Sequence, residues 1–405
     1  MANLLDEASI LLTPTAYNNG SMLAVKPENG DGDMTFSRNS AATRVNAQGL
    51  VENVAINLPR INYEGFSYDA NGDIIPDSGC GSWLMEGQST NVYSYSEPTV
   101  NEGTSGGITY DSFTWALGFT NCVQYGDNSV IRYRYGGTVS ASTEYTLSTF
   151  VIMDDLSEPI IGGQTSDKDF AFVIGGGIYS NANASVNMGN NIWRVSVTAT
   201  TSASPNTGNS GVIKFPSQSN KGFRVVGYQL EQNSYATSYI PTSGVSSTRL
   251  KDVANNSGNA NLINSEEGVL YAEISSLVEL VPFNSWLTIT DGTSSNSVGI
   301  VFETTGTATG RLRVAGVVQA YLNATVDYSN FIKVAFKFKE NDFSWWVNGI
   351  EVNTDSSGIT FPLNTLNSLQ FSHGAGSNNW VGKTKALAVF KTALTDAQLT
   401  LLTTI

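Results

Sequence analysis

Apolar and polar residues alternate in short runs along most of the chain, and helical spacing is rare. In residues 223–228 the alternation places Phe223, Val225 and Gly227 on one side of an extended backbone and Arg224, Val226 and Tyr228 on the other. Both sides carry apolar residues, which predicts a strand covered on both faces. Pro241 holds Ile240 in the extended region, so residues 234–241 leave this strand without turning helical, and Tyr235 and Tyr239 can anchor them on the domain just completed. The stretch predicts the last strand of one sandwich and the seam to the next.

Upstream, strand-like runs begin at Phe113, Ser129, Glu144, Asp169, Ser185, Ile192 and Gly211 and are separated by Gly, Asn and Ser turns. That is the sequence form of an antiparallel jelly roll, here over residues 98–246. Residues 247–264 read as a linker strapped to a neighbour. Runs at Gly268, Asn284, Ser297, Gly310, Phe331, Asp342, Ser368 and Lys385 predict a second sandwich over residues 265–405, closed by a short helix with Thr395 at or beside its N-terminus. Before the first sandwich, residues 4–12 form a short amphipathic docking element that stops at Pro14, and Asn46-Ala-Gln-Gly49 makes a tight turn between two extended arms. Residues 1–97 are expected to be an extended attachment region with hairpins. The fold class is all-β, with that region followed by two antiparallel sandwiches in series.

Composition sharpens this picture. Charged residues make up 14% of the 405-residue chain, against about 25% in ordinary soluble proteins, and Ser, Thr, Asn and Gly take their place. A net charge of −14 excludes a nucleic-acid surface, which needs clustered Lys and Arg. Cys80 and Cys122 are too few and His373 too solitary for structural zinc, so two buried free thiols are expected. The N-terminus lacks the basic and apolar parts of a secretory signal, and no apolar run reaches spanning length, so neither export nor membrane insertion is expected.

Candidate chemistry follows from exposed rings and oxygen-rich loops. A sugar's apolar face stacks on an aromatic ring while amides and carboxylates take its hydroxyls, which nominates Trp115, Tyr133, Tyr135 and Tyr179 in the first sandwich. A place in the core is the competing role for each. In the second sandwich Phe343, Trp345 and Val347 share one face and Ser344, Trp346 and Asn348 the other, so one tryptophan leaves the core, and Trp346 is the expected outward ring. The loop His373–Trp380 adds Asn378, Asn379 and Trp380 as sugar contacts. Asp69, Asn71 and Asp73 place oxygens at alternate positions, and Asp291 sits in a second polar loop, so both are candidate calcium sites, with plain turns as the alternative. Gly175-Gly-Gly177 lacks the lysine of a phosphate loop. No strand carries a close carboxylate pair, Glu273 and Glu303 stand alone, and no nucleophile elbow accompanies the single histidine, so no catalytic residue is expected.

Four ordered segments carry a resemblance. Phe36-Ser-Arg-Asn-Ser-Ala-Ala-Thr-Arg-Val-Asn46, Pro59-Arg-Ile-Asn-Tyr63, Leu84-Met-Glu-Gly-Gln-Ser-Thr-Asn91 with Tyr95-Ser-Glu97, and Tyr228-Gln-Leu-Glu231 with Ala236-Thr-Ser-Tyr-Ile-Pro-Thr242 resemble the leader and first module of tailed-bacteriophage fibre and other virion proteins. Phe338-Lys-Glu-Asn-Asp-Phe343, Val347-Asn-Gly-Ile-Glu-Val352 and Ala386-Leu-Ala-Val-Phe390 resemble the concanavalin A-like, laminin G-type sandwich. The resemblance implies a carbohydrate-binding-module-like jelly roll, a lectin-like domain and no catalytic residues. It implies a virion protein whose N-terminal third contacts other virion proteins, which assembles as a homotrimer and which binds host surface polysaccharide.

Overall fold

The computed structural model describes residues 4–405 except 69–73, 77–78, 99–103, 106–107, 114, 116–117, 128–129, 180–183, 278–283 and 375. The fold is all-β: among the described residues, only the 3-10 turn Leu4–Glu7 and the helix Asp396–Thr403 are helical. The predicted cap is present, since Thr395 accepts from the Gln398 backbone N–H and the Gln398 side chain returns to the Thr395 N–H.

The middle sandwich packs a five-stranded sheet against an eight-stranded one, in which Phe223–Glu231 lies between Cys122–Tyr125 and Glu144–Met153. Phe170, Phe172, Ile174 and Val212 from the first meet Val123, Leu147, Val151, Val195, Phe223 and Val225 from the second. Strand Phe223–Glu231 is covered on both faces as expected, with one change of phase. Gly227, at φ 68, forms a bulge opposite Ser148 and Phe150, so Tyr228 and Leu230 join Phe223 and Val225 while Val226 packs with Phe150 on the other face. A β-carbon at Gly227 would lie 2.5 Å from the Phe150 ring, so glycine is required there.

The C-terminal sandwich packs a five-stranded sheet against an eleven-stranded one, and the latter overturns the expected division of the chain. Ile10–Asn18 pairs antiparallel with Gly382–Phe390, and Ser21–Lys26, Met34–Ser37 and Val253–Asn255 extend the same sheet outwards. Ile10, Leu12, Met22, Met34, Phe36 and Trp83 enter one core with Leu270, Ile300, Phe336 and Trp345. Strands Ile10–Asn18, Ser21–Lys26, Met34–Ser37, Ile61–Asn62 and Ser82–Met85 are thus built into the second sandwich, while Ser89–Asn91 joins the middle one, and residues 247–264 contribute a strand to each body, Ser247–Arg249 pairing with Ser89–Asn91. Pro14 does not end the first segment: the strand runs through it where pairing to Ser21–Lys26 is irregular, the position at which a residue without an N–H is tolerated. The turn at Asn46 does close a hairpin, Ala42–Val45 with Val51–Val54. Both thiols are free, but Cys80 is exposed rather than buried, and burial pushes the Cys122 thiol up to about 11.

The four leader segments converge on one buried ionic joint. Arg60 donates to Glu86 at 2.7 Å and to Asp252; Arg38 reaches Asp252 at 3.2 Å, and Arg249 lies 3.5 Å from Glu86. Ser238 donates to Glu86 from both backbone and hydroxyl, at 2.7 and 2.6 Å. Beside them Glu231 accepts from Ser89, Gln229 and the Thr237 backbone. All of these charges are buried. Glu86, Arg249 and Asp252 lie on segments that lead from one sandwich's sheet to the other's, so ion pairing here fixes one body to the other.

Burial alone would raise the Glu86 pKa, but Arg249, Arg60 and the Ser238 bonds outweigh it and hold the carboxyl well below its ordinary value of 4.5. A carboxyl with a depressed folded pKa binds protons more readily when unfolded, so its stabilisation is complete above 4.5 and drains away as the pH falls towards the folded value. Denaturant midpoints measured from neutral pH downwards should therefore hold level and then decline below that value. A Glu86→Gln variant should lose much of that decline.

Candidate functional site

The expected tryptophan platforms are not at the surface. Trp346 does point away from the core shared by Trp345, as alternation requires, but helix Asp396–Thr403 and the Leu4–Glu7 turn close over that face. Trp346 is 5% exposed among Leu4, Leu399 and Leu402, with its indole N–H donating to Ser344 Oγ at 2.9 Å. Trp380 is fully buried against Phe302, because its loop folds the ring back between the sheets. Trp115 is buried edge-on to Phe113 beneath Phe119 and Cys122. Their roles are in packing. Tyr179 is half-buried, its hydroxyl donating to the Thr200 carbonyl at 3.2 Å.

Tyr133 and Tyr135 remain partly open. They share one face of strand Arg132–Gly136, their rings stacked at 4.5 Å and 19°, over the apolar patch of Val173, Ile213 and Phe215. Burial and the neighbouring Tyr133 push the Tyr135 hydroxyl up to about 12, so that phenol is a neutral hydrogen-bonding group.

The Asp291 loop gathers no metal ligands among the described residues. Asp291 is occupied locally, accepting from the Thr293 backbone at 2.8 Å, the Thr293 hydroxyl at 2.7 Å and Asn296 at 2.7 Å. Among the described residues no three His, Cys, Asp or Glu side chains converge to hold a metal. Asp69, Asn71 and Asp73 lie outside the described residues.

A group that sequence reasoning passed over stands on the outer face of the C-terminal five-stranded sheet. Strands Ser285–Thr290, Ser297–Phe302, Thr307–Val314 and Val317–Thr325 send Leu287, Ile300, Leu312 and Leu322 into the core. The same alternation turns Trp286, Arg311, Arg313 and Tyr321 to the other face, where Trp286 is covered and only 3% exposed. Gly299 lies in register between Thr288 and Arg311, and the Trp286 ring fills the space its missing side chain leaves, 3.3 Å from the β-carbon position. His373 stacks on that ring at 4.0 Å and 21°. The Arg311 guanidinium lies 5.4 Å from the Trp286 ring centre and 5.8 Å from that of Tyr321, which is 44% exposed.

At the rim Glu303 accepts from the Tyr321 hydroxyl at 2.6 Å and from Thr307 at 3.1 Å. Several buried donors here find no partner among the described residues: Trp286 Nε1, Arg311 Nε, Arg313 Nε and Asn379 Nδ2; His373 Nε2 is likewise unpaired. Burial, then Arg313 and Arg311, push the His373 imidazole below its ordinary pKa, so it is neutral at neutral pH. Of the loop residues nominated from sequence, Asn379 borders this face through a bridge to Trp286, while Asn378 is exposed on the turn beside it.

A cleft of about 240 Å³ at the joint, lined by Arg44, Asn62, Glu64, Phe66, Arg194 and Tyr239, is the competing location. Most of its polar groups are engaged, Arg44 with Glu52, Lys383 with Glu64, and Arg194 with the Thr237 carbonyl, and Arg194 Nε has no partner among the described residues.

No family model and no curated protein matches the chain. Solved structures with similarity to part of it include the CBM40 domain of Ruminococcus gnavus IT-sialidase bound to alpha2,3 sialyllactose, at 19% identity and a TM-score of 0.31, covering 36% of this chain and 92% of that one. NanB sialidase from Streptococcus pneumoniae is similar at 13% identity and a TM-score of 0.30, covering 35% of this chain and 24% of that one. Domain 4 of AbnA, an arabinanase from Geobacillus stearothermophilus, in complex with arabinotriose, is similar at 11% identity and a TM-score of 0.28, covering 42% and 83%. Similarity at this level transfers neither ligand nor activity.

Proposed function

We propose that this chain is a non-enzymatic structural protein of a tailed-phage virion, of fibre or head-decoration type, that binds glycans through the outer face of its C-terminal five-stranded sheet. The observation that carries the binding reading is the partly open Tyr321, His373 and Arg311 group lying over the buried Trp286 ring, with polar donors beside it that have no partner among the described residues. A pyranose needs that combination of an apolar surface and unsatisfied hydrogen-bonding groups. The same face argues against hydrolysis, because Glu303 is its one described carboxylate and its acceptor is already taken by Tyr321 and Thr307. The virion assignment rests on the resemblance of the four leader segments, with contacts to other virion proteins through the N-terminal third. A homotrimer would multiply a weak saccharide affinity by avidity.

The full-length chain on a glycan array, run beside a reducing-end assay on the same saccharides, tests this. Saturable binding without release of reducing ends is expected. Release of reducing ends would convert the reading to a depolymerase, and absence of any binding would leave a purely structural decoration protein. Light scattering at assembly concentrations should give three times the chain mass, and antibody labelling should find the chain on particles.

A further inference from the structure

We propose that the ligand at this face is an acidic saccharide, held by an oxyanion on the sugar, carboxylate or sulfate, that bridges Arg311 and Arg313. The proposal rests on the glycan-binding reading above and names its ligand class.

Acidic residues outnumber basic ones, 35 to 21, and Arg38, Arg44, Arg60, Arg224 and Arg249 have carboxylate partners, while Arg194 donates to the Thr237 carbonyl instead. Arg311 and Arg313 have none among the described residues, and the one hydrogen bond from Arg313 is a long contact of 3.5 Å to the Ser294 carbonyl. They stand two residues apart on one strand, about 6.8 Å along the backbone, so both guanidiniums rise from the same face.

Placing two like charges together on a partly buried surface is unfavourable. It lowers the pKa of Arg311, by burial first and then by Arg313. Glu303 is close enough to offset this in part, yet its carboxylate is committed to the Tyr321 and Thr307 hydroxyls and forms no ion pair with either arginine. An oxyanion supplied from outside would neutralise the pair in one step through the terminal guanidinium nitrogens, in the forked geometry that suits them. A neutral sugar would desolvate both arginines and return no charge. The exposed Tyr321 ring and the half-buried His373 ring stacked on Trp286 supply the surface beside the anion for the rest of the sugar.

The test uses the full chain on an array of uronic-acid, sialylated, sulfated and neutral glycans, followed by calorimetry with polygalacturonate oligosaccharides and their methyl esters, or with sulfated oligosaccharides and their desulfated forms. Binding is expected only to anion-bearing glycans, and the carboxylated and sulfated arms identify the oxyanion. Arg311→Gln should weaken binding about tenfold or more, the loss of one charge-assisted bond. Arg224→Gln, a charge removal in the middle sandwich, should leave affinity unchanged. Arg311→Lys, which keeps the charge and loses the fork, should fall between them and covers the case in which the glutamine variant misfolds. Equal binding of acid and ester forms would overturn the proposal while leaving the glycan reading intact. Equal effects of Arg311→Gln and Arg224→Gln would overturn the site, and an array with no signal would overturn both readings.

Discussion

Replacing Arg60 with methionine should cost roughly 3–5 kcal/mol of stability, the range for removing one partner from a buried ion pair. Arg60 is the hinge of the joint: its two terminal nitrogens go to different carboxylates, Glu86 and Asp252, carried by segments more than 160 residues apart in sequence. Without it, Asp252 keeps Arg38 and Glu86 keeps Arg249 and Ser238, but the link between the two halves of the cluster is lost. Arg60→Lys should recover only part of the loss, because one ammonium cannot present two parallel donors to two carboxylates. Removing a neighbour as well, in Arg60→Met with Asp252→Leu, should cost less than the sum of the single changes, since the double variant leaves fewer buried charges unpaired. Guanidinium denaturation of the parent, Arg60→Met, Arg60→Lys, Asp252→Leu and the double variant decides the matter. A midpoint for Arg60→Met indistinguishable from the parent would show that the cluster is solvated in solution and holds nothing together.

The joint also marks how far the sequence could be read. Alternation found the strands of both sandwiches because period two is a local property, and it correctly put Trp345 and Trp346 on opposite faces. It could not show what covers a face. The C-terminal helix was legible from Thr395 and Gln398, but its seat over Trp346 depends on Leu399 and Leu402 meeting Leu4 from the other end of the chain. The leader motifs were recognisable as sequence, yet nothing local says that Arg38, Arg60, Glu86, Glu231 and Asp252 meet, since charge pairing across such separations is a product of topology.

Arg311 and Arg313 were open to reading as well: in Gly310-Arg-Leu-Arg-Val314 two arginines flank a core leucine, which places both on one outer face. The signal was passed over because scattered surface arginines are ordinary and only the neighbours Trp286 and His373, from distant parts of the chain, make these two a site. The bulge at Gly227 was missed for the opposite reason. Glycine in a strand often marks a bulge, but the flanking alternation continues without interruption, so the change of phase shows only in the pairing with Phe150.

A fragment of residues 265–405 should fail to fold, although the sequence presents it as a complete lectin-like domain. In the intact chain Gly382–Phe390 is a central strand, paired on one side with Glu267–Ser275 and on the other with Ile10–Asn18. Cutting away the N-terminal third converts it to an edge with a row of unpaired backbone groups and an apolar sequence. The core loses Ile10, Leu12, Met22, Met34, Phe36 and Trp83, all buried, and each large side chain removed from a core of this kind costs on the order of 2–5 kcal/mol. That total exceeds the roughly 5–15 kcal/mol by which domains are ordinarily stable. The helix side suffers too, since Leu4, Ala8 and Leu11 pack with Leu399 and Leu402 over Trp346. The expected result is a fragment with no cooperative thermal transition and with its tryptophans in water. Adding back residues 1–97 with 247–264 in one chain should restore the transition, because those segments supply the missing strands. A fragment that melts cooperatively near the temperature of the whole protein would mean that the N-terminal strands are an accessory layer and that the two ends of the chain do not fold as one unit.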